Sequence, residues 1–225
     1  MDNRSFWNHR YIAFPQIGSG PGSRGYATAI KKKIIRQAIE KYKIKSILDI
    51  GCGDVCWLDD EITNACTYTG CDIAETIIER NKAERSVSSH FLLHDIVSES
   101  PPVTADLVIC FDVLIHQTVR AEFIAALANI LSAIGKVGLV SYRSPPTNGV
   151  FPPSPPVPSN ASAEATELDK ELLDIYAGLP RDHPRAETAF HGPLSEIIRS
   201  IRGDMLVEAI GEYRVHTVYE IRHDS

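Results

Sequence analysis

The residues best suited to chemistry lie in one short stretch, where an acid and two glycines accompany an apolar run. Residues 46–50 read Ser-Ile-Leu-Asp-Ile, and Gly51 and Gly53 come directly after them. Continuous apolarity is typical of a strand buried inside a parallel sheet. Glycines after such a strand permit a sharp turn and leave bare backbone that a ligand can approach closely. Because open α/β sheets bind nucleotides at the carboxyl ends of their strands, the stretch predicts a nucleotide site.

Two nucleotide-binding interpretations compete for this stretch. The dinucleotide fingerprint Gly-x-Gly-x-x-Gly, typical of nicotinamide-dependent enzymes, requires a third glycine at position 56, where the chain has Cys56. Since that glycine is missing and Asp49 closes the strand, the stretch resembles motif I of the class I S-adenosylmethionine (SAM) methyltransferases. Many members of that family carry glycine where this chain has Val55, which leaves the path of the second turn open.

Acids at the ends of two further predicted strands strengthen the resemblance. Asp72 ends the second strand, 19 residues after Gly53, where a carboxylate accepts hydrogen bonds from both hydroxyls of a ribose. Asp95 and Ile96 follow the third strand. The resemblance implies SAM as the cofactor, with Asp72 on the ribose and Asp95 and Ile96 on the adenine. It also implies that the methionine end contacts Asp49, Gly51, Gly53 and the backbone of Phe111 and Asp112.

Two histidines are candidate catalytic bases, because a base that titrates near neutrality would assist a hydroxyl acceptor. His116 follows the fourth predicted strand, and the resemblance places it at the mouth of the acceptor site. The alternative is that His116 caps or orients a helix beginning near Thr118. His191, at the start of the last predicted helix, is the second candidate.

The expected reaction is methyl transfer to a hydroxyl of a small polar acceptor, such as a sugar or a natural product. Methyltransferases that act on bases or protein amides often carry an Asn-Pro-Pro-Tyr-like run after the fourth strand, and this chain reads Asp-Val-Leu-Ile at 112–115. Its amino-terminal Trp, Arg-Tyr pair and glycine-rich run 18–25 resemble elements of bacterial sugar and natural-product methyltransferases. N-methylation of a small molecule and a non-catalytic SAM-binding module are the alternatives.

Alternating strand and helix patterns position these residues. Five strand–helix units and a terminal hairpin predict an α/β, Rossmann-like, doubly wound and mostly parallel seven-stranded sheet with a C-terminal antiparallel hairpin. The strands are predicted at 47–50, 68–72, 90–94, 105–111, 136–142, 205–210 and 215–221. The helices are predicted at 28–42, 54–62, 74–85, 119–131, 163–177 and 193–201. The amino end of the helix at 54–62 is expected to point at the ligand, and Gly135 is expected to cap the helix at 119–131.

Two segments outside this pattern are expected to cover the cofactor cleft of what we interpret as a single domain, residues 1–225. Residues 1–27 are interpreted as an amino-terminal arm, whose backbone N–H groups and Arg24 would meet a carboxylate or phosphate of the ligand. Residues 144–190 contain a proline-rich stretch and are interpreted as an inserted lid or substrate-facing segment. A flexible linker at 18–25 and a decorative surface loop at 144–190 are the alternatives.

Composition and charge limit the kinds of molecule that the chain is expected to bind. The net charge of −6 argues against a general nucleic-acid binder, and Lys31, Lys32 and Lys33 are interpreted as a solvated helix face. The five cysteines lack paired C-x-x-C spacing, which favours buried reduced thiols and no metal site. The chain contains no apolar run long enough to span a membrane and no signal-peptide core. We expect a soluble, cytoplasmic monomer or homodimer that binds a small-molecule acceptor and neither nucleic acid nor membrane.

Overall fold

The computed structural model describes residues 2–85, 89–144, 163–179 and 186–224, which build one seven-stranded sheet with helices on both faces. The strands are β1 Ser46–Ile50, β2 Thr67–Asp72, β3 Ser89–Leu93, β4 Ala105–Cys110, β5 Ile134–Arg143, β6 Met205–Tyr213 and β7 His216–His223. The α-helices are α1 Asn3–Ala13, α2 Tyr26–Tyr42, α3 Asp60–Ala65, α4 Glu75–Glu84, α5 Arg120–Ala133, α6 Ala163–Ala177 and α7 Leu194–Ile201. Short 3₁₀ turns span Pro21–Ser23 and Leu114–His116. No helix within these ranges is both long and apolar enough to cross a membrane.

The sheet has the strand order β3-β2-β1-β4-β5-β7-β6. The first five of these strands run parallel, and β7 pairs antiparallel with both β5 and β6. The predicted doubly wound, mostly parallel sheet with a C-terminal antiparallel hairpin is therefore confirmed. The direction in which the chain adds strands reverses between β1 and β4, and this reversal leaves a crevice beyond their carboxyl ends.

Both faces of the sheet are covered by helices, which explains the continuous apolar runs. Helices α2, α3 and α4 pack on one face with Ile47 of β1 and Leu107 of β4. Helices α5 and α7 pack on the other face with Leu48 and Val108. Successive residues of a strand point to opposite faces, so every position must be apolar where both faces are buried. This packing fixes the strand ends that border the crevice.

The helix predicted at 54–62 is wrong over its first six residues, because α3 begins only at Asp60. Asp59 is the N-cap, and its carboxylate accepts a hydrogen bond from the Ile62 N–H at 3.2 Å. Residues 51–59 instead form turns and irregular backbone, where amino-terminal residues engage the carboxylate of Asp54. The expectation that the amino end of this helix points at the ligand is therefore also wrong.

Two further differences concern the ends of helices. Residues 3–13 form α1, a helix that was not predicted within the amino-terminal arm, and Asp2 caps it by accepting a hydrogen bond from the Ser5 N–H at 2.8 Å. Gly135 does not cap α5, because it is already the second residue of β5. A Cβ at Gly135 would lie 2.8 Å from the carbonyl oxygen of Ala105, so the close approach of β4 and β5 requires glycine.

The predicted helix at 163–177 coincides with α6, which docks on the start of α2. The Oδ1 atom of Asp169 in α6 accepts a hydrogen bond from the N–H of Tyr26, the first residue of α2, at 2.8 Å. Gly25, the preceding residue, has φ 60°, and a Cβ there would overlap the Asp169 carboxylate. Asp169 thus satisfies an N–H that α2 leaves unpaired. The other parts of the predicted lid, 145–162 and 180–185, lie outside the described residues.

Candidate functional site

The crevice beyond β1 and β4 is a cleft that holds about 740 Å³ of space, its open mouth included. Its lining combines three groups of residues: the strand-end residues, a set from the amino-terminal arm, and the segment that follows β4. Predicted site residues that line it are Gly51, Gly53, Asp72, Asp95, Ile96, Phe111, Asp112 and His116. Residues of the arm that line it are Asn3, Trp7, Tyr11, Ser19 and Ser23. The structure therefore brings most of the predicted site together, whereas Arg24, Asp49 and His191 do not line the cleft.

The glycine turn after β1 takes a path that few side chains permit. Gly51 and Gly53 have φ 71° and 55°, in the left-handed region where glycine carries no penalty. A Cβ on Gly51 would overlap the side chain of Val113, so the turn also lies against the segment after β4. Val55 is left-handed as well, with φ 44°, although it is β-branched and buried. The second turn therefore follows a left-handed path even though glycine is absent at this position.

Residue Asp54 anchors the amino-terminal arm to this turn. The Arg24 Nη2 atom lies 2.5 Å from the Asp54 Oδ2 atom, and the Ser19 N–H donates to the same oxygen at 3.1 Å. The Ser19 hydroxyl in turn accepts from the Asp54 N–H at 2.9 Å. Burial raises the pKa of Asp54, but the hydrogen bond and charge of Arg24 outweigh this effect and the net pKa is lowered. The carboxylate that Arg24 meets thus belongs to the protein itself, and its contact with a ligand stays a prediction.

Asp72 lies at the end of β2 with both carboxylate oxygens held by backbone. Its Oδ2 atom accepts from the Gly53 N–H at 3.0 Å, and Oδ1 accepts from the Ala74 N–H at 2.9 Å. Burial raises its pKa to about 6, against the lowering effect of these hydrogen bonds. The backbone N–H of Ile73 adds a further hydrogen bond that lowers this pKa. A carboxylate has about four acceptor positions, so three backbone donors still leave room for a ribose hydroxyl.

Asp49 occupies a more internal position than the resemblance implies. It is 2% exposed, and its Oδ2 atom accepts a hydrogen bond from the Tyr68 hydroxyl at 2.8 Å. Burial raises its pKa to about 7. Asp49 thus pairs with Tyr68 beneath the glycine turn, and its contact with the cofactor stays a prediction.

The far end of the cleft, beyond β2 and β3, is mainly apolar. Ile73, Ile96 and Val97 line it, as a flat heteroaromatic ring would require. Asp95 closes the turn there, because its Oδ1 atom accepts from the Val97 N–H at 3.0 Å and its Oδ2 atom from the Ser98 hydroxyl at 2.8 Å. Asp95 and Ile96 lie side by side at this end, and their contact with adenine stays a prediction.

Asp112 is held by a buried polar cluster that the sequence did not reveal. Lys31 Nζ lies 2.7 Å from its Oδ2 atom, and the Tyr213 hydroxyl donates to Oδ1 at 2.6 Å. The Asp112 N–H donates to the Ser141 hydroxyl at 2.8 Å. Although burial alone would raise the pKa of Asp112, the charge of Lys31 leads the effects that hold it well below its usual range. His216 completes the cluster, with Nδ1 at 3.5 Å from Oδ1.

Lys31 therefore contradicts the interpretation of residues 31–33 as a solvated face. It is 2% exposed, and its Nζ atom also lies 5.0 Å from the Tyr213 ring centroid. Lys32 is half-buried and Lys33 is exposed, as expected for the rest of the run. Lys31 pairs with Asp112, a buried acid 81 residues later in the sequence. The helical pattern of α2 gives no indication of this partner.

His116 lines the cleft with a fixed ring orientation. Its Nδ1 atom lies 2.8 Å from the carbonyl oxygen of Glu187, which can only accept, so Nδ1 carries the proton and Nε2 keeps its lone pair. The Trp7 ring lies edge-on at 5.2 Å. Burial lowers the pKa of His116, which keeps the imidazole neutral near pH 7. Helix α5 begins at Arg120, with Val119 as N-cap and no side-chain cap in the described residues, so His116 does not cap it.

His191 has a different environment, which removes it from the cleft. Its Nε2 atom lies 2.7 Å from the carbonyl oxygen of Gln117, and its ring packs at 4.8 Å from that of Phe123. The backbone N–H of His191 donates to the Tyr142 hydroxyl at 2.5 Å. These contacts fasten the loop before α7 to the segment after β4, and the imidazole is engaged in that structural role.

The comparison with known families agrees with this geometry. A family model described as a methyltransferase domain matches residues 48–137, which run from β1 into β5 and include Asp72, Asp95 and His116. By this match, residues 48–137 resemble a methyltransferase domain. The strand order and the terminal hairpin, which lies outside residues 48–137, are those of the class I fold predicted from the sequence. No curated protein sequence matches the chain.

Solved structures extend the likeness of the methyltransferase fold over nearly the whole chain. DhpI in complex with S-adenosylhomocysteine (SAH) has a TM-score of 0.63 at 13% identity, covering 97% of this chain and 94% of that one. The magnesium protoporphyrin IX methyltransferase ChlM from Synechocystis PCC 6803, with bound SAM, has a TM-score of 0.58 at 14% identity, covering 99% and 98%. The N-methyltransferase NodS from Bradyrhizobium japonicum WM9, with SAH, has a TM-score of 0.54 at 13% identity, covering 89% and 88%. At these identities the likeness establishes the fold.

The buried pair of Lys31 and Asp112 gives a prediction about stability. Lys31→Met keeps the aliphatic length but leaves a largely buried carboxylate without its cation, which should lower the free energy of unfolding by about 3–5 kcal/mol. Urea unfolding at pH 7.5 measures this change. The control is Lys33→Met on the exposed side of the same helix, where we expect a change below about 0.5 kcal/mol.

A second substitution identifies the cause of that loss. In Lys31→Met/Asp112→Asn the unpaired charge is gone, so part of the stability should return. A Lys31→Met protein as stable as the Lys33→Met control would show that the pair contributes nothing.

Proposed function

We propose that the chain transfers a methyl group from SAM, the cofactor of this fold, to a hydroxyl of a small polar acceptor such as a sugar or natural product. The observation that carries the proposal is His116. Its neutral imidazole lies in the lining of the cleft, and the carbonyl of Glu187 holds the tautomer that leaves Nε2 free to accept a proton. A base oriented in this way suits a hydroxyl acceptor, which must lose its proton during transfer.

The cleft fits SAM in three respects. The Asp72 carboxylate keeps acceptor capacity for the ribose beyond its backbone contacts. Ile73, Ile96 and Val97 supply apolar surface for the adenine, beside the Asp95 carboxylate. Gly51 and Gly53 leave their backbone bare toward the methionine end. Phe111 and the backbone of Asp112 border the same end, where the buried Lys31 fixes the carboxylate.

The division of labour follows from the chemistry of the methyl donor. SAM supplies a methyl group that is already activated on a sulfonium, so the protein has to align the acceptor and exclude water. Trp7 and Tyr11 of the arm supply aromatic surface to the lining of the cleft. His116 Nε2 takes the acceptor proton, and the Glu187 carbonyl stabilises the imidazolium that results by accepting from Nδ1–H.

N-methylation of a small molecule is the second candidate, and NodS, a structural neighbour, is named as an N-methyltransferase. A neutral amine attacks through a lone pair that it already has, so it needs no base before transfer. Loss of the His116 imidazole would therefore matter little for an amine acceptor. A module that binds SAM without catalysis is the third candidate, and it would show no methyl transfer to any acceptor.

The test is a screen of hydroxyl and amine acceptors with methyl-labelled SAM, followed by His116→Asn. The asparagine amide occupies the position of Nδ1 and can still donate to Glu187, whereas nothing replaces Nε2. Turnover on a hydroxyl acceptor should fall roughly 10²–10⁴-fold, the usual range for a positioned base. Because the pKa of His116 is lowered, the wild-type rate should fall only in mildly acidic solution, and the variant should lack that acidic limb.

His9→Asn, at an exposed position on α1, is the matched control and should keep full turnover. SAH affinity should be unchanged in both variants. A His116→Asn enzyme with normal turnover on a hydroxyl acceptor would remove His116 from the mechanism.

The assignment of Asp72 to the ribose predicts a pH-dependent affinity. Ribose hydroxyls favour the ionised carboxylate, so binding lowers a pKa that is about 6 in the free protein. SAH affinity should therefore be constant above this pKa and fall by up to about tenfold per pH unit below it. Asp72→Asn should weaken SAH binding at least about tenfold at pH 7.5 and flatten the pH dependence.

Isothermal titration calorimetry between pH 5 and 8 measures both effects. Glu75→Gln, at the exposed start of α4, removes a nearby charge without touching the cleft and should leave the curve unchanged. Wild-type affinity in Asp72→Asn would exclude the ribose role.

We also propose that the arm 1–27 and the segment 144–190 close over the bound cofactor. The proposal is supported by the arm residues that line the cleft and by the contact of Asp169 with the start of α2. SAH should slow tryptic cleavage after Arg24 but not after Lys43, at the exposed end of α2. Equal rates at Arg24 with and without SAH would contradict a covering role for the arm.

A further inference from the structure

We infer that His94 is a further cofactor-binding residue, whose Nε2 atom accepts a hydrogen bond from the adenosine half of the bound cofactor. The inference rests on the proposed function and adds a residue to its site. His94 lines the cleft directly after β3, and its backbone N–H donates to the backbone carbonyl oxygen of Asp72 at 2.9 Å. It therefore lies between the two acids assigned to the ribose and the adenine.

The orientation of the ring follows from one contact. The Nδ1 atom of His94 lies 3.1 Å from the Oε2 atom of Glu99. An ionised carboxylate can only accept hydrogen bonds, so Nδ1 carries the proton and Nε2 keeps a lone pair in the neutral ring. Glu99 is half exposed, whereas the His94 side chain is 5% exposed, so a surface acid orients a buried imidazole.

The remaining nitrogen is the unusual feature. Nε2 of His94 is buried and has no hydrogen-bond partner among the residues that the structure describes. Buried polar atoms in folded proteins are nearly always paired, and an unpaired one in a cleft calls for a ligand. By contrast, one ring nitrogen of His191 is paired with a carbonyl oxygen, and that histidine is outside the cleft.

Adenosine carries hydrogen-bond donors that could pair with this acceptor nitrogen of His94. The adenine 6-amino group and the ribose hydroxyls are hydrogen-bond donors, and they are the groups expected beside Asp95 and Asp72. A neutral imidazole nitrogen is a good acceptor for either. The apolar residues Ile96 and Val97 line this end of the cleft and offer no hydrogen bond that could replace a lost one.

The experiment compares two substitutions that place an amide at different ring positions. In His94→Asn the amide reaches only the position of Nδ1, so the Nε2 acceptor is lost. In His94→Gln the amide oxygen reaches the position of Nε2 and restores an acceptor. Calorimetry with SAH at pH 7.5 should show about three- to tenfold weaker binding for Asn and near wild-type binding for Gln. The matched control is His90→Asn, at an exposed position in β3, the strand that precedes His94, and it should bind SAH like wild type.

Two additional measurements separate the possible outcomes. S-inosylhomocysteine lacks the 6-amino group, so a loss seen with SAH alone assigns the hydrogen bond to that group, and an equal loss with both ligands assigns it to the ribose. In the wild-type protein labelled with ¹⁵N-histidine, the Nε2 signal of His94 should shift on adding SAH, which tests the contact without any substitution.

Equal SAH affinity in folded His94→Asn and wild-type protein, or an unshifted Nε2 signal in a saturated sample, would overturn the inference. A wild-type chain that fails to bind SAH at all would instead refute the proposed function.

Discussion

The ion pair between Lys31 and Asp112 joins the three parts of the chain that build the site. Lys31 comes from α2, Asp112 follows β4, and Tyr213 at the end of β6 donates to the same carboxylate. Asp112 has φ 61°, a conformation that non-glycine residues keep only where their surroundings fix it. A Cβ on Gly22 would overlap the Asp112 carboxylate, so the amino-terminal arm also lies against this cluster. The Asp112 side chain therefore helps to position the segment after β4, which includes His116.

The histidines show how hydrogen-bond partners decide between structural and chemical roles. His116 and His94 each use Nδ1 toward an oxygen acceptor, and both line the cleft with Nε2 left over. His191 uses Nε2 toward the Gln117 carbonyl, and its backbone N–H is bound as well. The three side chains are chemically identical, so the oxygen that each one meets determines which nitrogen remains for a ligand.

Local sequence patterns predicted the sheet and much of the cleft because strands buried on both faces must be apolar and their carboxyl ends must meet at one edge. The motif around Gly51 and the acid Asp72 could be recognised in the sequence without knowledge of tertiary contacts. Two of the misses depend on distant partners. Lys31 is buried because Asp112 lies opposite it, and the turn after Gly53 stays non-helical where Arg24 binds Asp54. His94 ended a predicted strand, and no local signal shows that one of its nitrogens lacks a partner.

The start of α2 depends on residues that are synthesised much later. Tyr26 donates its N–H to Asp169, and its hydroxyl accepts from the Arg214 N–H at 2.8 Å. When residues 48–137 have emerged from the ribosome, Asp169 and Arg214, the two partners of Tyr26, have not yet emerged. Domains fold as their chains emerge from the amino terminus, so the sheet can form before this helix end is complete. The start of α2 is consequently completed by contacts from the last third of the chain.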